Sequence, residues 1–179
     1  GMNPLLVTWS PIKYTEIGFK NFENLSESGF TNIKCTPNGQ IHRKLARLCF
    51  EELGDAFHVF VLGQVYYPIH MAIKFNIKLV FYGENGEVEY AGDPEAVDKP
   101  YMDIIKNKKW LSGYLKGVTL DELIDFGIKH KKYLDKNDFN DSDLRFYRSP
   151  LEKDIQQSKI SRIYYYNYFH KWNPQENFY

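Results

Sequence analysis

The apolar positions of this chain fall into short blocks whose period changes along the sequence. "NPLLVTW" (Asn3–Trp9) is a continuous apolar run with Pro4 near its start and Ser10-Pro11 after it, which predicts a buried strand. In "YTEIGFKNFENLSESG", Ile17, Phe22 and Leu25, with Phe19 beside them, approximate a helical stripe between an N-cap at Thr15 and a C-cap at Gly29. "FTNIKCTP" reads as a second strand that stops at Pro37. "NGQIHRKLARLCFEELGD" carries the strongest helical pattern, with Ile41, Leu45, Leu48 and Cys49 at i, i+4, i+7 and i+8. "AFHVFVLGQVYYPIHMAIKFN" predicts one or two buried helices, interrupted near Gly63 and Pro68, and "IKLVFYGEN" a third strand. The order strand, helix, strand, helix, helix, strand argues for parallel βαβ units with helices on both faces. In such sheets ligands bind at the carboxyl edge.

The pattern breaks from Asp93 to about Ser158, where the chain is charged and turn-rich. One clear helix, "TLDELIDFGIKH", is capped by Thr119 with Glu122 three residues on. The expected organisation is an α/β core of residues 1–92 and 159–179, with 93–158 as a charged helical insertion. "ISRIYYYNYFHKW" (Ile160–Trp172) resumes an apolar, β-prone run.

Composition narrows the function classes. The 179 residues are 43% hydrophobic and 26% charged, enough for one domain with a real core. Twenty-three basic residues balance twenty-three acidic ones, so no long-range field gathers phosphate backbones and general nucleic-acid binding is disfavoured. Cys35 and Cys49 sit in apolar patterns, which makes neither a disulfide framework nor a zinc site and suits a cytoplasmic protein. No apolar run reaches the roughly 20 residues of a membrane span, and no signal peptide is visible. Fourteen Tyr and thirteen Phe bring aromatics to 17%; such rings line carbohydrate or nucleotide sites, and more often simply pack.

"KLVFYGENGEVEYAGDP" (Lys78–Pro94) admits two readings. Asn85-Gly86, followed by alternating Glu87, Val88, Glu89 and Tyr90, is a hairpin signal. The apolar run Leu79–Tyr82 also fits a parallel strand buried on both faces, whose end presents Glu84 and Asn85 at the carboxyl edge, with Glu89 and Tyr90 on the loop that follows.

Four blocks, "NPLLVTWSP…YTEIGFKNFENL…GF", "TPNGQIHRKLARL", "KLVFYGENGEVEYAGDP" and "YFHKWNPQENFY", together resemble the N-acetyl sugar amidotransferase family of lipopolysaccharide, O-antigen and flagellar sugar biosynthesis. These are PP-loop ATPases of the adenine-nucleotide α-hydrolase-like superfamily, so the resemblance implies a Rossmann-like parallel sheet. It also favours the strand-end reading. The implied reaction converts an acetamido group on a nucleotide-linked sugar to an acetamidino group: ATP adenylylates the amide oxygen, and ammonia from a glutaminase subunit displaces AMP.

By the same resemblance Glu84 is the catalytic carboxylate and a magnesium ligand, and Asn85, Glu89, Tyr90 and Arg43 hold substrate. Thr8 and Trp9 stand where the family contacts adenine, and Asn38 and His42 open the same helix as Arg43. Trp172, Gln175 and Glu176 match a block to which we attach no role. The family's Ser-Gly-Gly-x-Asp-Ser phosphate loop occurs nowhere in the chain, so the expectation is a central portion of such an enzyme that binds neither ATP nor Mg2+ alone. Strand edges left open by a missing first strand predict a homo-oligomer. The alternative is a non-catalytic sugar- or protein-binding domain.

Overall fold

A computed structural model of the chain describes residues 3–83, 99–115, 117–171, 173 and 175–176. In chain order the described elements begin with β1 (Leu5–Trp9), α1 (Glu16–Glu27), β2 (Thr31–Cys35), α2 (Gly39–Leu53), α3 (His58–Lys74) and β3 (Val80–Tyr82). They continue with β4 (Tyr101–Asp103), α4 (Lys108–Leu111), β5 (Tyr114–Leu115), β6 (Val118–Thr119) and α5 (Leu120–Lys129). A short helix α6 (Asp141–Leu144), a 3₁₀ turn (Arg145–Tyr147), α7 (Glu152–Ser158), β7 (Arg162–Tyr165) and α8 (Tyr166–Phe169) follow. The chain is therefore mixed α/β, and no helix among the described residues is long and apolar enough to cross a membrane.

The polypeptide divides into two units, Gly1–Met71 with Ser112–Ser149, and Ala72–Leu111 with Pro150–Tyr179. Of the charged segment 93–158, residues 112–149 thus belong to the first unit, and 99–111 and 150–158 to the second.

In the first unit β1 and β2 run parallel, from Leu5 opposite Thr31 to Trp9 opposite Cys35. α1 connects them, and its N-terminus is capped as its sequence dictates, with Thr15 Oγ1 accepting from Gly18 N at 3.0 Å. Strand alternation puts Trp9 and Cys35 on one face of the pair and Thr8 and Lys34 on the other. Lys34 Nζ lies 4.6 Å from the centre of the Phe22 ring of α1. On the opposite face the Trp9 indole presses on Gly63 of α3 so closely that a Cβ there would fall inside the ring's van der Waals envelope.

α2 begins at the Asn38 cap and ends at Gly54, whose φ of 72° is the left-handed conformation that glycine adopts without strain. Its stripe is buried as its period predicts, with Ile41, Leu45, Leu48 and Cys49 all in the core.

α3 is one helix, within the expected one or two, but it runs without the expected interruption through both Gly63 and Pro68. An interior proline costs about 3 kcal/mol. Burial of Val59, Leu62, Tyr66, Tyr67 and Ile69, at roughly 1.5–3 kcal/mol per large side chain, outweighs that. The α1 stripe also departs from its pattern. No residue of α1 is buried, and Ile17 is 73% exposed.

The second unit is built on the sheet β3–β7–β4. β3 is parallel to β7, with Val80 opposite Ile163, and β4 is antiparallel to it, with Met102 opposite Ile163. Val80, Ile163 and Tyr165 are buried with Ile104, Ile155 and Ile160. β3 is parallel as expected, but it is covered on one face only: Leu79 and Phe81 are exposed. Its partner is β7, from beyond the charged segment, and β1 and β2 form a separate pair.

Candidate functional site

The carboxyl edge of β1 and β2 is tied together just past the strands, where Ser10 N donates to Cys35 O at 2.9 Å. Ser10 is buried, and its hydroxyl lies 3.0 Å from Tyr14 Oη. Trp9, 7% exposed, has its ring edge-on to Tyr147 at 5.2 Å and tilted against Tyr67 at 5.8 Å. Its Nε1 is buried and makes no hydrogen bond to a described residue. Trp9 is thus a core anchor of this edge, and Thr8 points to the opposite face of the strand pair. The Cys35 thiol is half-buried and pushed up by desolvation, which disfavours the thiolate at neutral pH.

After β2 the chain enters α2, and three of the residues picked out from the sequence meet here in different roles. Asn38 Oδ1 accepts from Gln40 N at 3.1 Å and Ile41 N at 3.4 Å, while its Nδ2 donates to Asp143 Oδ1 at 3.1 Å. It is spent on capping. His42 is buried, and its Nδ1 lies 2.9 Å from Tyr147 Oη. Desolvation holds the imidazole below its usual pKa and pushes the Tyr147 phenol well above its own. The phenol keeps its proton and shares one hydrogen bond with Nδ1, which leaves Nε2 as the ring's other polar atom. That nitrogen has no partner among the described residues.

Arg43 is exposed and forms no ion pair among the described residues, whereas Arg47, one turn on, is fully engaged. Arg47 Nε donates to Glu51 Oε1 at 3.1 Å, and its guanidinium stacks 4.0 Å above the Tyr133 ring. Lys44 pairs with Asp138 and Lys132 with Glu52, so α2 is held to residues 132–138 along its length.

His42, Arg43, Ala46, Arg47 and Phe50 of α2 join Ile12 and Ala56 around an open depression of about 400 Å3. Ile12 follows β1 and α2 follows β2, so the depression is built from the segments that leave the carboxyl ends of both strands. Its lining surface is almost wholly apolar, with Arg43 among the residues around it. Such a lining suits the apolar part of a ligand.

Thr8 and Trp9 do not line this depression, so only Arg43 of the sequence-derived contacts does. Glu84, Asn85, Glu89, Tyr90 and Trp172 lie outside the described residues. Gln175 N donates to Asn173 Oδ1 at 3.0 Å, and Glu176 is exposed. Tyr147, which hydrogen-bonds His42, is the candidate-site residue that sequence reasoning missed. It stands 105 positions from its partner, and no local signal marks it. Among the described residues no three His, Cys, Asp or Glu side chains cluster as a metal site. No protein-family model and no curated protein matches the chain.

Proposed function

We propose that the chain is the central part of an ATP-dependent N-acetyl sugar amidotransferase acting on a nucleotide-linked sugar. One observation carries this reading: a parallel β1–α1–β2 unit has, beyond its carboxyl ends, a depression with Arg43 in its lining and no ion pair for that arginine among the described residues. In this reading Arg43 binds an anionic group of the substrate, and His42, hydrogen-bonded to Tyr147, lies beside it. The four sequence blocks supply the chemistry, an acetamido oxygen replaced by nitrogen, and assign Glu84 to the reacting group.

Calorimetric titration with a UDP-linked N-acetylhexosamine tests the proposal. Arg43→Ala weakens binding about tenfold, or ~1.4 kcal/mol. Arg47→Ala changes it less than twofold, because that guanidinium is already committed to Glu51 and Tyr133. Absence of binding, or equal losses in the two variants, overturns the assignment. In an assembly supplied with the phosphate-loop segment and a glutaminase, Glu84→Gln abolishes formation of the acetamidino product, read by mass spectrometry.

The second reading, a non-catalytic binding domain, is favoured by a different feature, the outer face of the second unit's sheet.

A further inference from the structure

We propose that the solvent face of the β3–β7–β4 sheet is a binding platform for neutral pyranose oligosaccharides. The register sets three rings side by side across three strands, Phe81 opposite Tyr164 and Tyr164 opposite Tyr101. Their centres are 5.6 and 5.8 Å apart, and Phe169 stands edge-on to Phe81 at 6.4 Å. Two residues back along β7 on the same face, Arg162 lays its guanidinium 4.0 Å above the Tyr101 ring, with Asp103 opposite it in register.

These rings are not core. The buried side chains Val80, Ile163 and Tyr165 alternate with them on the other face, while Phe81 is 45% and Phe169 59% exposed. Neighbouring aromatics across strands hold one another in place. The surface is therefore pre-organised, and little ordering remains to be done on binding.

The polar groups beside the row select the ligand. A polyanion needs a cationic rim that follows its backbone. Here Arg162 faces Asp103, which accepts from Lys106 N at 3.2 Å and lies 3.7 Å from Lys106 Nζ, so among the described residues the rim carries one net positive charge. An apolar peptide would strip water from Arg162 and Asp103 without replacing it. A pyranose meets both demands. Its C–H face lies on the rings, and its hydroxyls donate to the carboxylate and accept from the guanidinium and the tyrosine hydroxyls. The platform lies wholly in the second unit and stands independently of the nucleotide-sugar reading.

The test is calorimetry of the full chain with cellobiose, maltotriose and diacetylchitobiose, at concentrations of about 10 mM that saturate even a millimolar site. At least one sugar binds. Phe81→Leu, which keeps an apolar side chain and removes the ring, weakens it at least tenfold, as does Arg162→Ala. Ile17→Ser on α1 leaves it unchanged. If Phe81→Leu fails to fold, the exposed Arg162 decides alone. No binding of any of the three sugars overturns the proposal. So does binding indifferent to both variants, tighter binding of oligo(dT), or a self-association that Phe81→Leu abolishes.

Discussion

At the residue scale two contacts govern the edge where the depression sits. Tyr147 Oη and His42 Nδ1 satisfy each other in a buried place. Tyr147→Phe leaves the imidazole nitrogen without a partner and destabilises the protein by about 1–3 kcal/mol in urea denaturation. Because burial depresses the His42 pKa below 6.5, the unfolded chain takes up a proton at a pH where the folded ring does not. Stability from this group is complete above 6.5 and declines as pH falls through 6.5 toward the folded value, by at most ~1.4 kcal/mol per unit. His42→Gln flattens that part of the profile, as melts between about pH 5 and 8 report. Gly63 is the second contact. Gly63→Ala drives a methyl into the Trp9 indole and costs about 1–3 kcal/mol, seen as a lower melting temperature.

At the element scale the caps do what their sequences require. In α5, Thr119 Oγ1 accepts from Glu122 N at 3.2 Å and Glu122 Oε2 from Thr119 N at 2.7 Å. Thr119→Ala costs about 1 kcal/mol of stability. α5 packs on α2 through Gly127, where a Cβ would come within 2.6 Å of Leu48 Cδ2 and 3.0 Å of Leu134 Cδ1. Gly127→Ala is therefore the more damaging of the two changes despite alanine's better helix propensity, and paired thermal melts give the order. Caps at Thr15 and Thr119, the strands at β1 and β2 and the buried stripe of α2 were all legible in the sequence, because each depends on residues within one or two turns. The burial of α1 and the unbroken course of α3 were not. Both are settled by what packs against the helix: Ile17 and Leu25 of the α1 stripe, and Phe19 beside it, are exposed despite the helical spacing of Ile17, Phe22 and Leu25. With no buried side chain to hold it, α1 exchanges its amide hydrogens ahead of α2 in native-state exchange.

At the scale of the whole molecule, alternation along the sequence correctly indicated a mixed α/β architecture and a parallel β1–β2 pair joined by a helix. It did not indicate that β3 pairs with β7, since strand pairing across the charged segment leaves no periodic trace. Of the site, Arg43 was legible as a cation on a polar helix face; Tyr147, the partner of His42, was not, because its role exists only once distant segments meet. The division into units has a consequence for how the protein is made. The polypeptide passes between them after Met71, Leu111 and Ser149, so each unit is assembled from two separated stretches. A ribosome-bound chain therefore finishes neither until most of it has been synthesised, and no single cut in the gene yields either one intact.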